Sequence, residues 1–206
     1  MNAKVAVLCL LFAVSIGTAG AIVANRNHAP VSQGFTVYER ESFYLASQST
    51  PIASDESVRY QKADGSWRKE YVCNGQNKVA FSQPGHGVFS VDDRNRKLLY
   101  VGAPKSTVLT EEMLRSEPGF VSEQMILGYK TFLIHSDSVE SGESDDFYIC
   151  PALQGYALKR IERNKNGTMN VHEVTRVILG EPPENLFNSL PSYPVEPLKK
   201  AANPKP

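Results

Sequence analysis

Three cysteines, four histidines and two adjacent aspartates are where chemistry would be sought in this chain of 206 residues. Cys9 lies inside an N-terminal apolar run, which leaves Cys73 and Cys150 as a pair in the body of the chain. Neither has a His or Cys at ligand spacing, so no metal site is expected of them. In an exported chain an even cysteine count reads as a disulfide. A Cys73–Cys150 bond would close a long loop and contribute about 4–5 kcal/mol on the chain-entropy account; two separate buried thiols are the alternative. His28, His86, His135 and His172 are scattered. None is assigned a metal partner at i+2 or i+4, and surface or half-buried structural roles are expected. Asp145 and Asp146 precede a Phe-Tyr strand. Strand neighbours point to opposite faces, whereas acid–base pairs need convergent carboxylates, so solvated loop charge is expected. No G-x-S-x-G elbow pins a nucleophile. Asn166-Gly-Thr168 forms a glycosylation sequon, and a turn explains the same Asn-Gly. These residues predict no catalytic, cofactor or metal site and a protein that is not an enzyme. A secreted enzyme of unrecognised type stays as an alternative.

The N-terminus assigns a compartment. Lys4 is followed by the apolar run Val5–Ile16 and the small residues Gly17–Ala21. A basic start, an apolar centre and the A-x-A-like Ala19-Gly20-Ala21 read as a secretory signal. No charge falls between Val5 and Ala24, close to the roughly 20 apolar residues a membrane helix needs. Residues 1–24 are therefore a signal peptide or, alternatively, an uncleaved signal anchor, the one membrane contact expected. Cys9 sits within the apolar core rather than at its end, against a lipid-modified cysteine. Residues 25–33 read as a leader. Periplasmic or extracellular location follows from export.

Twenty-two Lys and Arg balance twenty-two Asp and Glu, and nothing supplies the clustered basic face of a nucleic-acid binder. The exported part, about 180 residues, suffices for one core. From Pro191 onward proline recurs every few residues, predicting an extended Pro/Lys-rich tail over 191–206, disordered at its end.

Residues 34–190 read as one antiparallel β domain, a meander with one or two short helices. Ser57–Ala63 and Ser66–Cys73 flank Asp64-Gly65, a preferred two-residue type I′ turn. That register sets Val58 opposite Tyr71, Arg59 opposite Glu70 and Tyr60 opposite Lys69. It gathers Val58, Tyr60, Trp67, Tyr71 and Cys73 on a buried face, with Arg59, Gln61, Arg68 and Glu70 on the exposed one. Gly87–Val91 and Lys97–Val101 form a second pair. Thr110 caps a helix reaching Ser116, stopped by Pro118-Gly119. Glu123–Leu127 and Tyr129–His135 read as one strand bent or bulged at Gly128. Asp146–Cys150 is a strand halted by Pro151. Gly155–Arg163 and Thr168–Leu179 flank Asn166-Gly167 with a bulge or longer loop.

Four segments carry a resemblance: Ile126-Leu-Gly-Tyr-Lys-Thr131, Asp146-Phe-Tyr-Ile-Cys-Pro-Ala-Leu153 with Leu158-Lys-Arg160, Thr175–Phe187 with its Gly-Glu-Pro-Pro, and Ser192-Tyr-Pro194. Together they resemble the superfamily of the lipoprotein carrier LolA and the regulator RseB over about residues 34–193. The resemblance implies a curved antiparallel half-barrel whose concave face is covered by helices and holds an apolar cavity for acyl chains. It implies a lipid, a lipoprotein or another apolar envelope ligand as partner, with an envelope protein as the alternative partner of an anchored interaction or regulatory module. It implies no cofactor and no individual binding residue.

Overall fold

The structure is a computed structural model that describes residues 33–103, 109–138, 141–188 and 191–197. The signal or anchor segment 1–24, the leader up to residue 32 and the end of the tail lie outside the described residues.

Strands dominate because β-branched and aromatic residues alternate between short turns. In chain order they are β1 (Phe35–Tyr44), β2 (Ala53–Gln61), β3 (Trp67–Cys73), β4 (Gln76–Gln83), β5 (Gly87–Asp92), β6 (Lys97–Gly102), β7 (Phe120–Ile126), β8 (Tyr129–Ser138), β9 (Glu143–Cys150), β10 (Tyr156–Arg163), β11 (Met169–Leu179) and β12 (Val195–Pro197). They make one curved, unclosed sheet in the order β12-β6-β5-β4-β3-β2-β1-β11-β10-β9-β8-β7. The chain is thus mainly β with two short helices, as its pattern predicts. Helix α1 (Glu111–Ser116) starts where the Thr110 side chain accepts the Met113 amide, and α2 (Asn185–Asn188) is one turn. Every pairing is antiparallel except β12 on β6.

Three apolar clusters hold the sheet. Phe35 and Val37 of β1 pack with Cys150, Leu153, Leu158 and Val174. On the same face Leu114 of α1 covers Phe132 and Ile134 of β8. On the opposite face Phe81, Phe89 and Val91 are buried under Tyr193 of the C-terminal segment. That segment is extended, as its prolines predict, and it lies on the sheet: the Leu98 amide donates to Pro194 O before β12 joins the edge.

Turn geometry departs from expectation twice. The Asp64-Gly65 turn holds three residues, not two. Lys62 N donates to Ser66 O, Gly65 N donates to Lys62 O, and Gly65 has φ +90°, a type I turn closed by a left-handed glycine. The register becomes Val58–Glu70, Arg59–Lys69 and Gln61–Trp67. One residue of slip exchanges the faces of one strand relative to the other. Arg59 and Gln61 therefore join Trp67, Tyr71 and Cys73, while Val58 and Tyr60 join Arg68 and Glu70. Asn166-Gly167 repeats the device: Asn164 N donates to Thr168 O and Gly167 N to Asn164 O. The other departure is at Gly128, which does not bend one strand. Leu127 and Gly128 have φ +52° and +79° and make a two-residue turn, so β7 and β8 pair with Ile126 opposite Tyr129.

Candidate binding site

The corrected register concentrates charge inside the sheet. On the first face β1 presents Phe35, Val37, Glu39 and Glu41 in succession. Glu39 is 2% exposed. Its Oε2 meets Lys69 Nζ at 2.6 Å, Ser57 Oγ at 2.7 Å and His172 Nε2 at 3.4 Å. The Tyr156 hydroxyl donates to Oε1. Burial works against the charge, but Lys69 and His172 hold the Glu39 carboxyl well below the usual range. Tyr156 is pushed well above the ordinary phenol, first by burial and then by Glu39. Two residues on, Glu41 has no such partner at close range among the described residues, and burial raises it to about 7 despite Lys69 and His172.

Arg59 belongs to the same layer. Its guanidinium lies 4.2 Å from the Trp67 ring centre and 5.0 Å from that of Tyr156. Gln61 Oε1 accepts from both Nε and Nη2. Further along the face, Arg160 grips Asp145 through Nε and Nη2 at 3.0 and 3.1 Å.

The opposite face holds an open groove of about 700 Å³. Five neighbouring strands line it: Arg176 on β11, Tyr38 on β1, Val58 on β2, Arg68, Glu70 and Val72 on β3, and Val79 on β4. Its walls are posted with charge. Arg176 stacks 3.8 Å from the centre of the Tyr38 ring, and Arg68 pairs with Glu70 at 2.8 Å. Arg68 also donates to Leu186 O, which ties α2 to the groove wall. Its volume falls within the range of sites for small organic ligands, and Val58, Val72 and Val79 lie among its charged lining residues.

Of the residues singled out in the sequence, few meet. His86 lies at the β4–β5 turn and His28 lies outside the described residues. His172 joins the Glu39 cluster. His135 is held between two carboxylates, Asp146 Oδ1 at 2.7 Å and Asp137 Oδ1 at 3.0 Å. The hydrogen bond the imidazole donates to Asp146 raises it above its ordinary value. Asp137 is its i+2 neighbour, and Asp146 reaches it only through the β8–β9 register. Asp145 and Asp146 are strand residues rather than loop charge, and they do face opposite ways, to Arg160 and to His135 with Arg163. Among the described residues no group of three His, Cys, Asp or Glu could hold a metal ion.

The Cys73–Cys150 bond expected from the cysteine count is not formed in the structure, where both thiols are free. Five strand steps separate β3 from β9, roughly 24 Å along the sheet, whereas a disulfide needs Cα atoms within about 7 Å. Cys150 is sealed in the core, and burial raises its thiol. Cys73 ends β3 beside Asn74.

Sequence reasoning missed Glu39, Glu41 and Tyr156, and it placed Arg59 on the exposed face opposite Glu70, where the structure buries it opposite Lys69. The signal was present in β1, where Phe35, Val37, Glu39 and Glu41 share one phase, an inward run that turns from apolar to acidic.

No protein-family model and no curated protein matches the chain. Solved structures do. A LolA superfamily protein from Nitrosomonas europaea overlaps 76% of this chain and 90% of its own, with a TM-score of 0.44 and 7% identity. Lipoprotein LppX of Mycobacterium tuberculosis overlaps 72% of this chain and 88% of its own, with a TM-score of 0.37 and 11% identity. PNGF-II overlaps 81% of this chain at 12% identity and a TM-score of 0.40, and the overlap spans about a third of its length (31%). The matched structures include LolA superfamily and lipoprotein-sorting proteins; at these overlaps and identities no residue's role and no ligand transfers to this chain.

Proposed function

We propose that the protein is an extracytoplasmic, non-enzymatic binder of an amphipathic apolar ligand, of the lipid or lipoprotein acyl-chain class. One observation carries this reading: the groove on the β11-β1-β2-β3-β4 face, about 700 Å³, lined by Val58, Val72, Val79 and Tyr38 together with Arg68, Glu70 and Arg176. An acyl chain laid on the valines gains about 25 cal/mol for each Å² of apolar surface removed from water, and the charged walls can orient a polar head. Export supports the reading through the signal-like start of the chain. Among the described residues no helix is long and apolar enough to cross a membrane.

Native mass spectrometry of gently extracted protein, followed by lipid extraction, is the test. An acyl ligand is expected to co-purify, and the double variant Val58→Phe/Val72→Phe is expected to retain at least five-fold less. A protein that is ligand-free and binds added acyl chains no better than this variant would refute the proposal.

A further inference from the structure

The two ends of the groove are unlike. One cross-strand row runs through its lining: Arg176 stands opposite Tyr38, Tyr38 opposite Val58, Val58 opposite Glu70 and Glu70 opposite Val79. Residues paired in this way share one face of the sheet. From β11 to β4 the row covers four strand steps, roughly 19 Å along the sheet. Past it, Val79 packs against the cluster of Phe81, Phe89 and Val91 that Tyr193 covers. The β4 end of the groove is therefore apolar, and the β11 end carries a cation.

Charge cancels along the groove except at Arg176. Arg68 takes Glu70 at 2.8 Å, and Arg40 takes Glu56 at 3.6 Å. Glu39 also borders the groove, but its carboxylate is held on the other face by Lys69 and His172. Lys78, opposite Tyr71, belongs to that other face too. Arg176 is exposed, and none of the ion pairs among the described residues involves it. It lies instead on the Tyr38 ring, 3.8 Å from the centre, which sets the plane of the guanidinium and leaves its N–H edge for an acceptor. A β-bulge puts it there. The β1–β11 register shifts between Tyr38 and Glu39, so Thr175 is the extra residue and Arg176 takes the place opposite Tyr38. Thr175 Oγ1 donates to Tyr38 O across the bulge.

We infer that the groove takes a fatty acid, with its carboxylate on Arg176 and its chain across Val58 and Val79 toward the aromatic cluster. This rests on the groove as an acyl site and adds the head group and the direction. A guanidinium meets a carboxylate through two parallel N–H bonds, and one surplus cation matches one negative charge. A zwitterionic head would need a carboxylate for its ammonium, and Glu56 and Glu70 are both taken. The Arg68–Glu70 pair that the chain passes carries no net charge.

The full chain, stripped of bound lipid, is titrated by calorimetry with dodecanoate, uncharged dodecanol and zwitterionic dodecylphosphocholine, each below its micelle-forming concentration. Dodecanoate is expected to bind at least ten-fold more tightly than either. In Arg176→Gln that preference is expected to vanish while dodecanol binding stays within two-fold of the parent; in Lys78→Gln the preference is expected to persist. If Arg176→Gln does not fold, Arg176→Lys is read instead. An ammonium cannot make the paired bonds, and at least three-fold weaker dodecanoate binding is expected. Dodecanol or dodecylphosphocholine binding as tightly as dodecanoate overturns the fatty-acid inference and leaves the acyl groove standing. So does an Arg176 variant that behaves like the parent, or a preference lost in Lys78→Gln. Failure of all three amphiphiles to bind overturns the groove reading and this inference together.

Discussion

Glu39 and Glu41 stand two residues apart on one face of β1; burial raises both, but Lys69 and His172 hold Glu39 low, so the two lie on opposite sides of the ordinary carboxylate range. Their pH dependences have opposite signs. Glu39, held low when folded, contributes stability above about pH 4.5 that is lost as pH falls toward its folded value. Glu41 titrates near 4.5 unfolded and about 7 folded. Below 4.5 it is neutral in both states; as pH rises to 7 the folded form keeps a proton the unfolded form has released, so stability falls and then levels. Glu41→Gln is expected to flatten this decline and to stabilise the protein at pH 8 by about 1–2 kcal/mol, read by urea unfolding at pH 5 and pH 8. Glu39→Ala strands Lys69 in the interior and is expected to cost about 3–5 kcal/mol. Neither role was legible in the sequence. Charged residues at inward positions erase the alternation by which a half-buried strand is recognised, and β1 went unread for that reason. The partners of Glu39 come from β2, β3, β10 and β11, a convergence that only the full sheet order creates.

At the scale of elements, turns decide what each strand shows to either side. The sequence marks Asp64-Gly65 and Asn166-Gly167 as reversals, and both are, but the number of residues in the loop is set by whether one or two of them adopt positive φ. Asn74-Gly75 has both, at φ +53° and +71°, and makes the tight reversal between β3 and β4. Leu127-Gly128 does the same with a residue ill suited to it, which is why this reversal was invisible. Leu127→Asn is expected to stabilise the protein by about 1 kcal/mol in thermal unfolding, because Asn tolerates the left-handed region and Leu does not. Gly119 is different: a Cβ there would run into the His135 carbonyl, whose strand it already bonds through His135 N to Gly119 O at 2.8 Å. Gly119→Ala is expected to cost about 2 kcal/mol or more. The cysteines provide a further check at this scale. Alkylation of native, unreduced protein is expected to modify Cys73 and to reach Cys150 only on unfolding.

Across the whole molecule the strand-rich antiparallel meander was legible from alternating residues and turn signals, the curvature of its sheet came only with the resemblance, and the covering of its faces was not legible. The C-terminal segment illustrates the gap. Prolines announce extended chain, yet only the sheet shows that Tyr193 lies over Phe81 and Phe89 and that Lys97 pairs with Glu196 at 2.7 Å. Ending the chain at Asn188 is expected to lower stability by about 2–4 kcal/mol and to increase binding of an apolar dye, since it uncovers an aromatic cluster.

An open sheet also has two ends, and here they are unlike. One is the three-residue β12, bounded by Pro194 and Pro197; prolines and brevity make it a poor template for another strand. The other is β7, seven residues without proline, with Val121 and Met125 well exposed. The molecule therefore has a growing end and a capped end. Edge addition would start at β7, and two copies joined there would turn only capped ends outward, so such growth terminates at a pair instead of running on into a fibre.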